Sequence, residues 1–493
     1  MTFDIRMAVA DTLRTGGEAP AIAFDGRWRD WDWMRHFSEA LDRIVTSAAI
    51  PDGTAIALVA RNRPAHLAAM AAQTAAGRAT AMIYSAQSPA KIAADIKAVA
   101  APMVMADPED WTVETLASAD AAGAVAVAIE DGPNEASVRI VGGRSRAREG
   151  AYEKRKATTG FEMLSSGTTG APKRVPLAWS TLSSAALDAK DAYAGTAARH
   201  APQIMLHPIG NIAGVSYLLP IFAYAQPVVL MEKFAAEAWI DVVRSYAPSR
   251  ASLPPAGVRM LLDSVATRED LKSLGLVVVG GGKLDVDQQL AFEARFGIPV
   301  LTAFGATEFA GVIANWTLDA YREFGEAKRG SAGRASANVQ LRIVDQASSE
   351  PLGRGAIGLL EAKVARLGNQ WIRTNDLASL DDDGFLFVHG RADGAINRGG
   401  FKIVPELVAD ALRAHPAVAD AAVVAKADSR LGEVPVAAVE LQPGTSASAE
   451  EILAFIADRL VRYQIPVDLR ILDNLPRNSS MKISLGEVRE LFA

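Results

Sequence analysis

The decisive stretch of this sequence runs Met163-Leu-Ser-Ser-Gly-Thr-Thr-Gly-Ala-Pro-Lys-Arg-Val175. Its two glycines let the backbone adopt positive φ angles and approach a ligand closely, so that amide N–H groups converge on an anion. The serine and threonine hydroxyls add further donors, and Lys173 adds a positive charge. Apolar residues flank the stretch on both sides. We therefore interpret it as a phosphate-binding strand and turn.

The spacing of this loop differs from that of the common nucleotide-binding motif. That motif needs four residues between its glycines, and a lysine followed directly by serine or threonine. Here Gly167 and Gly170 are too close together, and Arg174 follows the lysine. A kinase or GTPase loop is therefore not predicted. A plain surface turn remains the alternative as long as the loop is considered alone.

Composition limits the classes of protein to which the chain can belong. It has 493 residues, 50% of them hydrophobic, and a formal net charge of −6. That length favours two or more domains. The negative balance lacks the excess of Lys and Arg with which nucleic-acid-binding proteins neutralise phosphates, so no nucleic-acid partner is expected. The absence of cysteine from the sequence excludes disulfides, zinc–thiolate sites and cysteine nucleophiles.

Two stretches of the sequence bear on its location in the cell. Residues 1–8 carry Asp4 and no long apolar core, unlike a secretory signal. Residues 212–231 are strongly apolar but are interrupted by Pro220 and Pro227, which favours a buried helix followed by a buried strand over a membrane span. We therefore expect a cytoplasmic protein without a membrane span.

Apolar, β-branched runs alternate with Ala-rich amphipathic stretches in the N-terminal part of the chain. Residues 54–59 predict a strand, residues 64–76 a helix, and residues 79–84 another strand. This alternation indicates βα units and largely parallel sheets. Leu276-Val-Val-Val279 predicts a buried strand that enters the turn Gly280-Gly-Gly282. Ligands in such folds bind at the carboxyl ends of the strands.

The pattern changes after about residue 330, where short alternating strands separated by Gly and Asp turns predict an antiparallel subdomain. A further boundary falls at residues 390–394, before another βα-patterned segment that reaches the C-terminus. We expect a large N-terminal domain over residues 1–391, with its β-rich part at 330–391, and a small domain over 392–493. Residues 134–160 are polar and partly basic, and we expect them to form a loop.

Four further segments carry candidate functional side chains. In Thr302-Ala-Phe-Gly-Ala-Thr-Glu308, Phe304 could stack on a base, Thr307 could bind a phosphate oxygen, and Glu308 could hold Mg²⁺. Asp376 could accept both hydroxyls of a ribose with Arg391 beside it. Taken alone, Phe304 is more typical of a core position and Glu308 of a surface carboxylate.

Each of the two remaining segments, considered alone, is typical of an ordinary surface feature. Asp381-Asp-Asp-Gly384 suggests a metal site, but before glycine it is more typical of a solvated hairpin turn. Lys482 follows the polar run Pro476-Arg-Asn-Ser-Ser480 and, considered singly, is an ordinary surface lysine. Only the combination of segments gives these residues a role.

In this order and spacing, the segments resemble the adenylate-forming superfamily of acyl-CoA synthetases, luciferases and stand-alone adenylation enzymes. The resemblance runs from about residue 20 to residue 490. It rests on Ser165-Ser-Gly-Thr-Thr-Gly-Ala-Pro-Lys173, Phe304-Gly-Ala-Thr-Glu308, Thr374-Asn-Asp376, Gly390-Arg-Ala-Asp393, and Pro476-Arg477 with Lys482. Weaker correspondences are His207-Pro-Ile-Gly210, Asp428 with Gly432-Glu433, and Tyr463-Gln-Ile-Pro466.

The resemblance implies an α/β fold. It predicts a large N-terminal domain of two helix-flanked β-sheets plus a small distorted β-barrel, followed by a small mobile α+β C-terminal domain. It also implies catalytic roles for Lys482, Thr307, Glu308 and His207, with Mg²⁺ at Glu308. The residues implied to contact ATP or AMP are Ser165, Ser166, Gly167, Thr168, Thr169, Gly170, Lys173, Gly281, Phe304, Gly305, Asp376 and Arg391.

The same resemblance implies an acyl pocket, a hinge and a passage for coenzyme A. The acyl pocket is expected at His207, Asn211, Gly280, Gly282, Phe309 and Ala310. Asp393 is the implied hinge of the small domain. Gly399 and Gly400 are expected to let the pantetheine arm pass, because glycine has no Cβ.

Five positions depart from the superfamily pattern. Arg174 replaces the glycine after the loop lysine, Asn375 the glycine before the ribose aspartate, and Ala335 a proline; Gly394 replaces a frequent aspartate and Met481 the glycine before the final lysine. None of these changes removes a charge that the chemistry needs. They weaken the assignment to a particular subfamily.

The resemblance implies ATP-dependent activation of a carboxylic acid to an acyl adenylate, followed by transfer to the thiol of coenzyme A. One alternative is transfer to the phosphopantetheine of an acyl carrier protein, and another is a non-catalytic nucleotide-binding protein of the same fold. The expected substrates and cofactors are therefore a small carboxylic acid, ATP, Mg²⁺ and coenzyme A. Small or apolar residues near the pocket favour an aromatic or medium-length aliphatic acid.

Overall fold

The structure is a computed structural model that describes residues 3–132, 137–150, 152–164, 174–190, 201–368, 370–392, 394–398, 401–478 and 481–493. Its helices are α1 (Ile5–Thr15), α2 (Trp31–Ser47), α3 (Pro64–Ala75), α4 (Pro89–Val99), α5 (Val113–Ala122), α6 (Trp179–Asp188), α7 (Ile212–Ala223), α8 (Ala236–Tyr246), α9 (Pro255–Asp263), α10 (Val286–Phe296), α11 (Leu318–Phe324), α12 (Pro405–Arg413), α13 (Ala449–Ala457) and α14 (Leu485–Glu490).

The strands in chain order are β1 (Pro20–Phe24), β2 (Arg27–Asp30), β3 (Ile56–Ala60), β4 (Thr80–Tyr84), β5 (Met103–Ala106), β6 (Val125–Ile129), β7 (Val138–Val141), β8 (Thr159–Leu164), β9 (Arg174–Ala178), β10 (Gln203–Met205), β11 (Val228–Leu230), β12 (Arg250–Leu253), β13 (Leu276–Val279), β14 (Val300–Ala306), β15 (Gly311–Asn315), β16 (Arg334–Ala335), β17 (Val339–Val344), β18 (Gly358–Val364), β19 (Ile372–Leu380), β20 (Leu386–Arg391), β21 (Ile396–Arg398), β22 (Phe401–Ile403), β23 (Val418–Asp428), β24 (Gly432–Leu441) and β25 (Leu469–Leu472). Short 3₁₀ turns at Thr307–Phe309 and Ala365–Leu367 matter for the site.

The largest sheet has seven strands in the order β7-β6-β5-β3-β4-β8-β9. Its inner strands are parallel, and β7 and β9 run antiparallel at the two edges. The predicted β3–α3–β4 unit is confirmed. Helix α3 begins at Pro64, whose fixed φ suits a first turn, and nearly all of its residues are buried. Its Ala-rich sequence therefore packs on all sides rather than on one stripe.

A second sheet of five strands has the order β12-β13-β14-β15-β16. The first three strands are parallel, and β14 to β16 are antiparallel. Aliphatic and aromatic side chains from α8, α9 and α10 pack against this sheet in one buried core. The carboxyl ends of β13 and β14 carry the segments that the sequence analysis assigned to ligand binding.

A third sheet of four strands was not predicted from the sequence. It has the order β10-β11-β1-β2, in which β1 near the N-terminus lies parallel to β11 about two hundred residues later. Residues 212–231 form α7 and β11, as predicted. None of the helices in the described ranges is long and apolar enough to cross a bilayer.

The β-rich subdomain is an antiparallel sheet with the order β17-β18-β19-β20. Where the resemblance predicts a small distorted barrel, the strand pairing gives a four-stranded sheet. An isolated bridge between Arg334 and Phe385 connects this sheet to the five-stranded sheet. The acidic run forms the hairpin turn between β19 and β20. Asp381 accepts a hydrogen bond from the Phe385 amide (2.8 Å), and Lys328 binds Asp381 (2.8 Å) and Asp383 (2.5 Å).

The small C-terminal domain is α+β, as predicted. It contains a sheet with the order β22-β21-β24-β23, in which β25 also pairs with β24. Helices α12 and α13 cover one face with apolar side chains. Residues from α14 and the end of the chain cover the other.

The expected loop at 134–160 is wrong at residues 138–141. Val138–Val141 forms β7, which pairs antiparallel with β6 and closes one edge of the seven-stranded sheet. Val138 is buried, whereas Arg139 is exposed. This alternation is typical of an edge strand, and the surrounding polar residues obscured it.

Candidate active site

The predicted phosphate-binding loop joins two paired strands. Residues 165–173, which include seven of the twelve predicted ATP contacts, lie outside the described part of the chain, as do Asp393, Gly399 and Gly400. On its two sides, Leu164 at the end of β8 pairs with Arg174 at the start of β9. The loop therefore begins and ends at one edge of the seven-stranded sheet.

Arg174 does not simply extend into solvent. Its side chain is partly buried, and its guanidinium donates a hydrogen bond to the Met82 carbonyl oxygen (3.3 Å). Burial lowers its pKa, and the nearby carboxylates of Glu162 and Asp95 oppose that shift. The cation therefore remains at the edge of the sheet, beside the start of β9.

Two glycine-rich segments at the ends of parallel strands form one wall of a cleft. Gly281 follows β13 with a φ of +81°, a conformation that suits glycine. At Gly305 in β14, a Cβ atom would lie only 2.4 Å from the Gly311 carbonyl oxygen, so a larger residue cannot fit there. The partly buried Phe304 packs against the core of the β-rich subdomain. The missing side chain at Gly305 therefore makes room for the chain's own reversal into β15, whereas glycine at 281 suits the positive φ of its turn.

Thr307 and Glu308 extend this wall in a 3₁₀ turn. Glu308 is exposed and forms no ion pair within the described residues. The described part of the chain also contains no cluster of three or more His, Cys, Asp or Glu side chains. A single open carboxylate suits Mg²⁺, which usually binds one or two carboxylates together with substrate phosphates rather than a closed protein cage. The residues present therefore fit the predicted magnesium site.

Asp376 and Arg391 lie directly opposite each other in the β19–β20 pair. The Asp376 backbone N–H donates to the Thr374 hydroxyl (3.0 Å). Arg391 is exposed at the end of its strand, whereas Asp376 is half-buried. The structure therefore brings the predicted ribose-binding pair together from positions fifteen residues apart in the sequence.

Lys482 reaches the cleft from the small domain. A Cβ atom at residue 281 would lie 3.7 Å from the Lys482 Cε, so the lysine stem lies against the glycine turn of the large domain. The pKa of Lys482 is lowered, because protein atoms displace water from the ammonium, and the Asp376 carboxylate opposes this shift. The side chain remains accessible to solvent in the cleft. The structure thus places Lys482 beside Gly281, where its ammonium interacts electrostatically with the Asp376 carboxylate.

The loop before Lys482 is fixed by its own hydrogen bonds. Asn478 accepts the Lys482 N–H through its side chain (3.1 Å) and donates its own N–H to the Lys482 carbonyl oxygen (2.8 Å). Met481, which stands where the superfamily has glycine, has a φ of +60°. The left-handed conformation that favours glycine at this position is therefore retained by methionine, at a cost of about 1–2 kcal/mol.

Two ion pairs cross from the large to the small domain. Lys283, directly after the glycine turn, pairs with Asp410 on α12. Arg259 on α9 pairs with the buried Glu440 on β24 (2.6 Å). Sequence reasoning missed both cations, because neither belongs to a recognised motif.

His207 lies at the predicted acyl pocket. Its Nε2 is 2.8 Å from the Ser252 hydroxyl, and the Tyr217 ring meets the imidazole edge-on at 5.8 Å between centroids. Desolvation lowers the pKa of His207 to about 4, and no charged neighbour opposes the shift. The imidazole is therefore neutral at physiological pH.

The other predicted pocket residues lie in different surroundings. Gly280 and Gly282 lie on the cleft wall, and a Cβ at residue 282 would lie 3.4 Å from Pro255. Asn211 caps α7 by accepting the Gly214 N–H (3.0 Å). The Phe309 side chain is fully buried in the core of the β-rich subdomain. This packing role does not match the predicted place of Phe309 in the acyl pocket.

Ala310 differs from Phe309 in its backbone. It is buried and has a φ of +55°, and the following Gly311 also has a positive φ of +134°. A Cβ at residue 311 would lie 3.7 Å from the Ser216 Cβ on α7. The chain therefore reverses direction here, between the end of the Thr307–Phe309 turn and β15.

Asn62 supports the His207 segment and was not predicted from the sequence. Its buried side chain donates to the carbonyl oxygens of His207 and Met231 (3.1 Å each) and accepts the Ile209 N–H (3.0 Å). Asn62 follows β3 of the seven-stranded sheet, whereas the segment that it holds follows β10. A buried amide with three backbone partners fixes a loop strongly, because leaving any of them unpaired is costly.

Comparison with known proteins identifies two matching family models. The model described as AMP-binding enzyme matches residues 9–365, and the model described as AMP-binding enzyme C-terminal domain matches residues 407–482. A 2-succinylbenzoate–CoA ligase of Bacillus velezensis is 35% identical over 343 residues, which are 67% of this chain and 68% of that enzyme. An indoleacetate–CoA ligase of Aromatoleum aromaticum is 32% identical over 66% of each chain.

Among other matches, the alignment with 4-coumarate–CoA ligase 1 of Oryza sativa is 29% identical and spans 62% of that enzyme.

Solved structures share the whole fold. ATP-bound MatB from Rhodopseudomonas palustris has a TM-score of 0.84 at 21% identity and covers 100% of this chain and 99% of its own. The amide bond synthetase McbA from Marinactinospora thermotolerans has a TM-score of 0.81 at 24% identity, covering 99% and 100%.

The pKa of His207 predicts a specific loss of stability in acid. In the unfolded state the imidazole has a pKa near 6.5, whereas in the folded state burial lowers the pKa of His207 to about 4. The free energy of unfolding should therefore fall by up to about 3 kcal/mol through this group as the pH drops between these values. Denaturant unfolding at pH 7.0 and pH 4.5 should show a smaller loss for His207→Gln than for the native chain.

The matched control is His36→Gln, which removes an exposed histidine on α2. This variant should lose as much stability in acid as the native chain. Equal pH dependence for His207→Gln and the native chain would contradict a neutral, desolvated imidazole at position 207.

Proposed function

Because the chain belongs to the AMP-binding enzyme family and resembles acid–CoA ligases, we propose that it activates a carboxylic acid with ATP and transfers the acyl group to coenzyme A. The first half-reaction forms an acyl adenylate and pyrophosphate, and the second forms the thioester and AMP. The observation that carries the proposal is the position of Lys482, whose stem lies against Gly281 and whose ammonium interacts electrostatically with the Asp376 carboxylate.

The first half-reaction must bring two anions together. The substrate carboxylate attacks the α-phosphate of ATP, and the leaving group is pyrophosphate. A cation between the carboxylate and the phosphate offsets their mutual repulsion and the charge that develops in the transition state. Lys482 is the candidate for this role, because it enters the cleft beside a backbone wall and leaves its ammonium accessible.

The other charged and aromatic residues hold ATP in this scheme. The loop at 165–173 would bind the β- and γ-phosphates, Asp376 and Arg391 the ribose, and Phe304 the base. Glu308, with Thr307 beside it, would hold Mg²⁺, which when bound neutralises phosphate charge. The exposed Glu308 carboxylate and the opposed positions of Asp376 and Arg391 support these roles.

The second half-reaction would require the small domain to rotate about Asp393, which withdraws Lys482 and brings Gly399 and Gly400 to the active site. The two interdomain ion pairs would then break. Asp410 would keep Arg413 on its own helix as a partner (2.6 Å). Glu440 would keep the backbone N–H of Leu475 (3.1 Å). Neither carboxylate would be left without a partner, which keeps the cost of opening small.

The acid is proposed to be aromatic or a medium-length aliphatic acid. Among the described residues at the predicted pocket, Gly280, Gly282, Asn211, Ala310 and the neutral His207 carry no charge at neutral pH, and neither does the Ser252 hydroxyl beside His207. A pocket of this kind favours an apolar acyl group over one with a second charge. The aryl acids named for the succinylbenzoate, indoleacetate and coumarate relatives favour the aromatic choice. We also propose that the enzyme acts in the cytoplasm.

A screen for pyrophosphate release tests the function directly. Purified protein with ATP and Mg²⁺ is offered aryl, short, medium and long carboxylic acids, with and without coenzyme A. We expect acid-dependent pyrophosphate release, with an aryl acid preferred, and an acyl-CoA product only when coenzyme A is present. Adenylation with transfer to a holo carrier protein but not to coenzyme A would favour the carrier-loading alternative. ATP binding by calorimetry without pyrophosphate release for any acid would favour a non-catalytic protein.

Replacement of Lys482 should separate the two half-reactions. Lys482→Ala should lose acid-dependent pyrophosphate release by at least about a hundredfold, because one preorganised charge contributes roughly that much. It should still convert a supplied acyl adenylate and coenzyme A to the thioester.

Lys426→Ala, on the exposed side of β23, is the matched control and should leave both half-reactions unchanged. Unchanged adenylation in Lys482→Ala would refute the assignment of the lysine.

Loss of the Lys283–Asp410 pair should weaken the first half-reaction selectively. In Lys283→Met, the kcat/KM for pyrophosphate release should fall by up to about fivefold at low ionic strength, the range expected for a partly exposed ion pair. The difference should shrink at high salt, because salt screens the native pair. Transfer from a supplied acyl adenylate should not fall.

The matched control for this pair is Lys272→Met, which removes an exposed surface pair with Glu269 that lies wholly within the large domain. It should change neither rate nor salt dependence. Identical salt dependence in the native chain and Lys283→Met would show that the interdomain pair does not stabilise the adenylating arrangement.

A further inference from the structure

Arg366 makes an unusual set of contacts next to the candidate active site. It lies in the 3₁₀ turn Ala365–Leu367 after β18, and its side chain is only 5% exposed. Its guanidinium donates to the Phe309 carbonyl oxygen through Nε (3.3 Å) and Nη2 (3.0 Å), and to the Val312 carbonyl oxygen through Nη2 (3.2 Å). No superfamily segment quoted from the sequence includes this arginine.

The two carbonyl groups bracket the strained reversal after Glu308. Ala310 and Gly311, between Phe309 and Val312, both have positive φ angles. Such a conformation is unfavourable for alanine and persists only where its surroundings fix it. A planar guanidinium keeps its donors in a rigid fork, so it can hold both carbonyl groups in one fixed geometry, which a freely rotating ammonium does not impose. Arg366 therefore fixes the direction of the chain that leaves Thr307 and Glu308.

The opposite side of Arg366 contacts the segment that follows the phosphate-binding loop. Its Nη1 lies 3.4 Å from the Asp188 carboxylate at the end of α6, and its carbonyl oxygen accepts the Thr181 hydroxyl (3.4 Å). Helix α6 begins directly after β9, the strand on which the loop at 165–173 ends. Arg366 thus joins the turn that carries Glu308 to the helix that follows β9.

The buried charge has few partners. Burial lowers the pKa of Arg366, and Asp188 is the carboxylate that opposes this shift. Arginine nevertheless remains charged in proteins, so its guanidinium must be satisfied by hydrogen bonds where it lies. The backbone carbonyl groups of Phe309 and Val312 supply most of them. A residue kept only for packing would not need this arrangement, since an apolar side chain fills such a space at lower cost.

We propose that Arg366 is a positioning residue for ATP binding and adenylation, which holds the Thr307–Val312 reversal in register with α6 and thereby fixes the place of Glu308 relative to β9 and α6. The proposal rests on the proposed function. It predicts that Arg366 sets the affinity for ATP with Mg²⁺ and the rate of adenylation without touching the reacting atoms.

The test compares Arg366→Met and Arg366→Lys with the native chain. Calorimetry measures the Kd for ATP with Mg²⁺ in the absence of an acid, and pyrophosphate release gives kcat and the KM for ATP. Arg366→Met should weaken ATP binding about tenfold and lower kcat at least about tenfold. Arg366→Lys should recover part of both losses, because one ammonium can still donate to one of the two carbonyl groups. Thermal unfolding records the stability of each variant.

Arg342→Met is the matched control. Arg342 lies in the same antiparallel sheet and pairs with Glu361 (2.7 Å), but it does not contact the reversal. Its loss should lower the melting temperature without changing the Kd or the KM for ATP. Equal effects of the two methionine variants on ATP binding would overturn the proposal. So would native ATP affinity and kcat in a folded Arg366→Met protein.

Failure of this proposal and failure of the proposed function give different results. If the native chain releases no pyrophosphate with any acid, the function is wrong, yet the ATP affinities of the variants still test the role of Arg366. If the native chain is active and both Arg366 variants match it, only the role of Arg366 is wrong.

Discussion

The whole arrangement depends on one contact, the stem of Lys482 against the bare backbone of Gly281. A lysine on a small domain can take part in chemistry on a large one only if it reaches the wall where the ligand lies, and here its stem lies against Gly281, whose φ of +81° suits glycine. The glycine turn in turn requires the parallel strand β13 behind it, and the lysine requires the tight loop closed by Asn478. The folds of both domains meet in this contact.

The interface around that contact combines two ion pairs with a small apolar cluster, in which Val404 of the small domain packs against Val344, Leu359 and Leu377. Its two ion pairs use acidic residues that have a second partner inside the small domain, Arg413 for Asp410 and the Leu475 amide for Glu440. An apolar interface would hold the domains more firmly, but separation would expose it to water at a high cost. Ion pairs with alternative partners provide orientation without that cost. This chemistry suits the rotation proposed for the small domain.

Much of the fold could be predicted from the sequence, because hydrophobic periodicity reports local structure. The units around β3 and α3, the buried helix and strand at 212–231 and the antiparallel strands after residue 330 follow from local patterns. Strand β7 was missed because charged neighbours conceal its short alternation. The sheet that joins β1 to β11 could not be predicted, since a pairing between distant segments leaves no local pattern.

The candidate site follows the same division. Asp376, Arg391 and Lys482 were predictable because they lie in recognisable segments, and the structure brings Asp376 and Arg391 face to face. Asn62, Lys283 and Arg366 were not, because each acts through a contact with a segment far away in the sequence. Phe309 differs from these, since the resemblance assigned it to the acyl pocket, whereas its side chain packs in the core of the β-rich subdomain.

The surroundings of His207 have a consequence for the choice of acid. Asn62 belongs to the seven-stranded sheet, the segment that it holds follows the four-stranded sheet, and Ser252 belongs to the five-stranded sheet. The imidazole thus stands where three independently hydrogen-bonded sheets meet. A small change in how these sheets pack would widen or narrow the space beside it without altering any residue that touches the acid. Divergence in the distant core can therefore change substrate preference, so chains with the same motifs need not share a substrate.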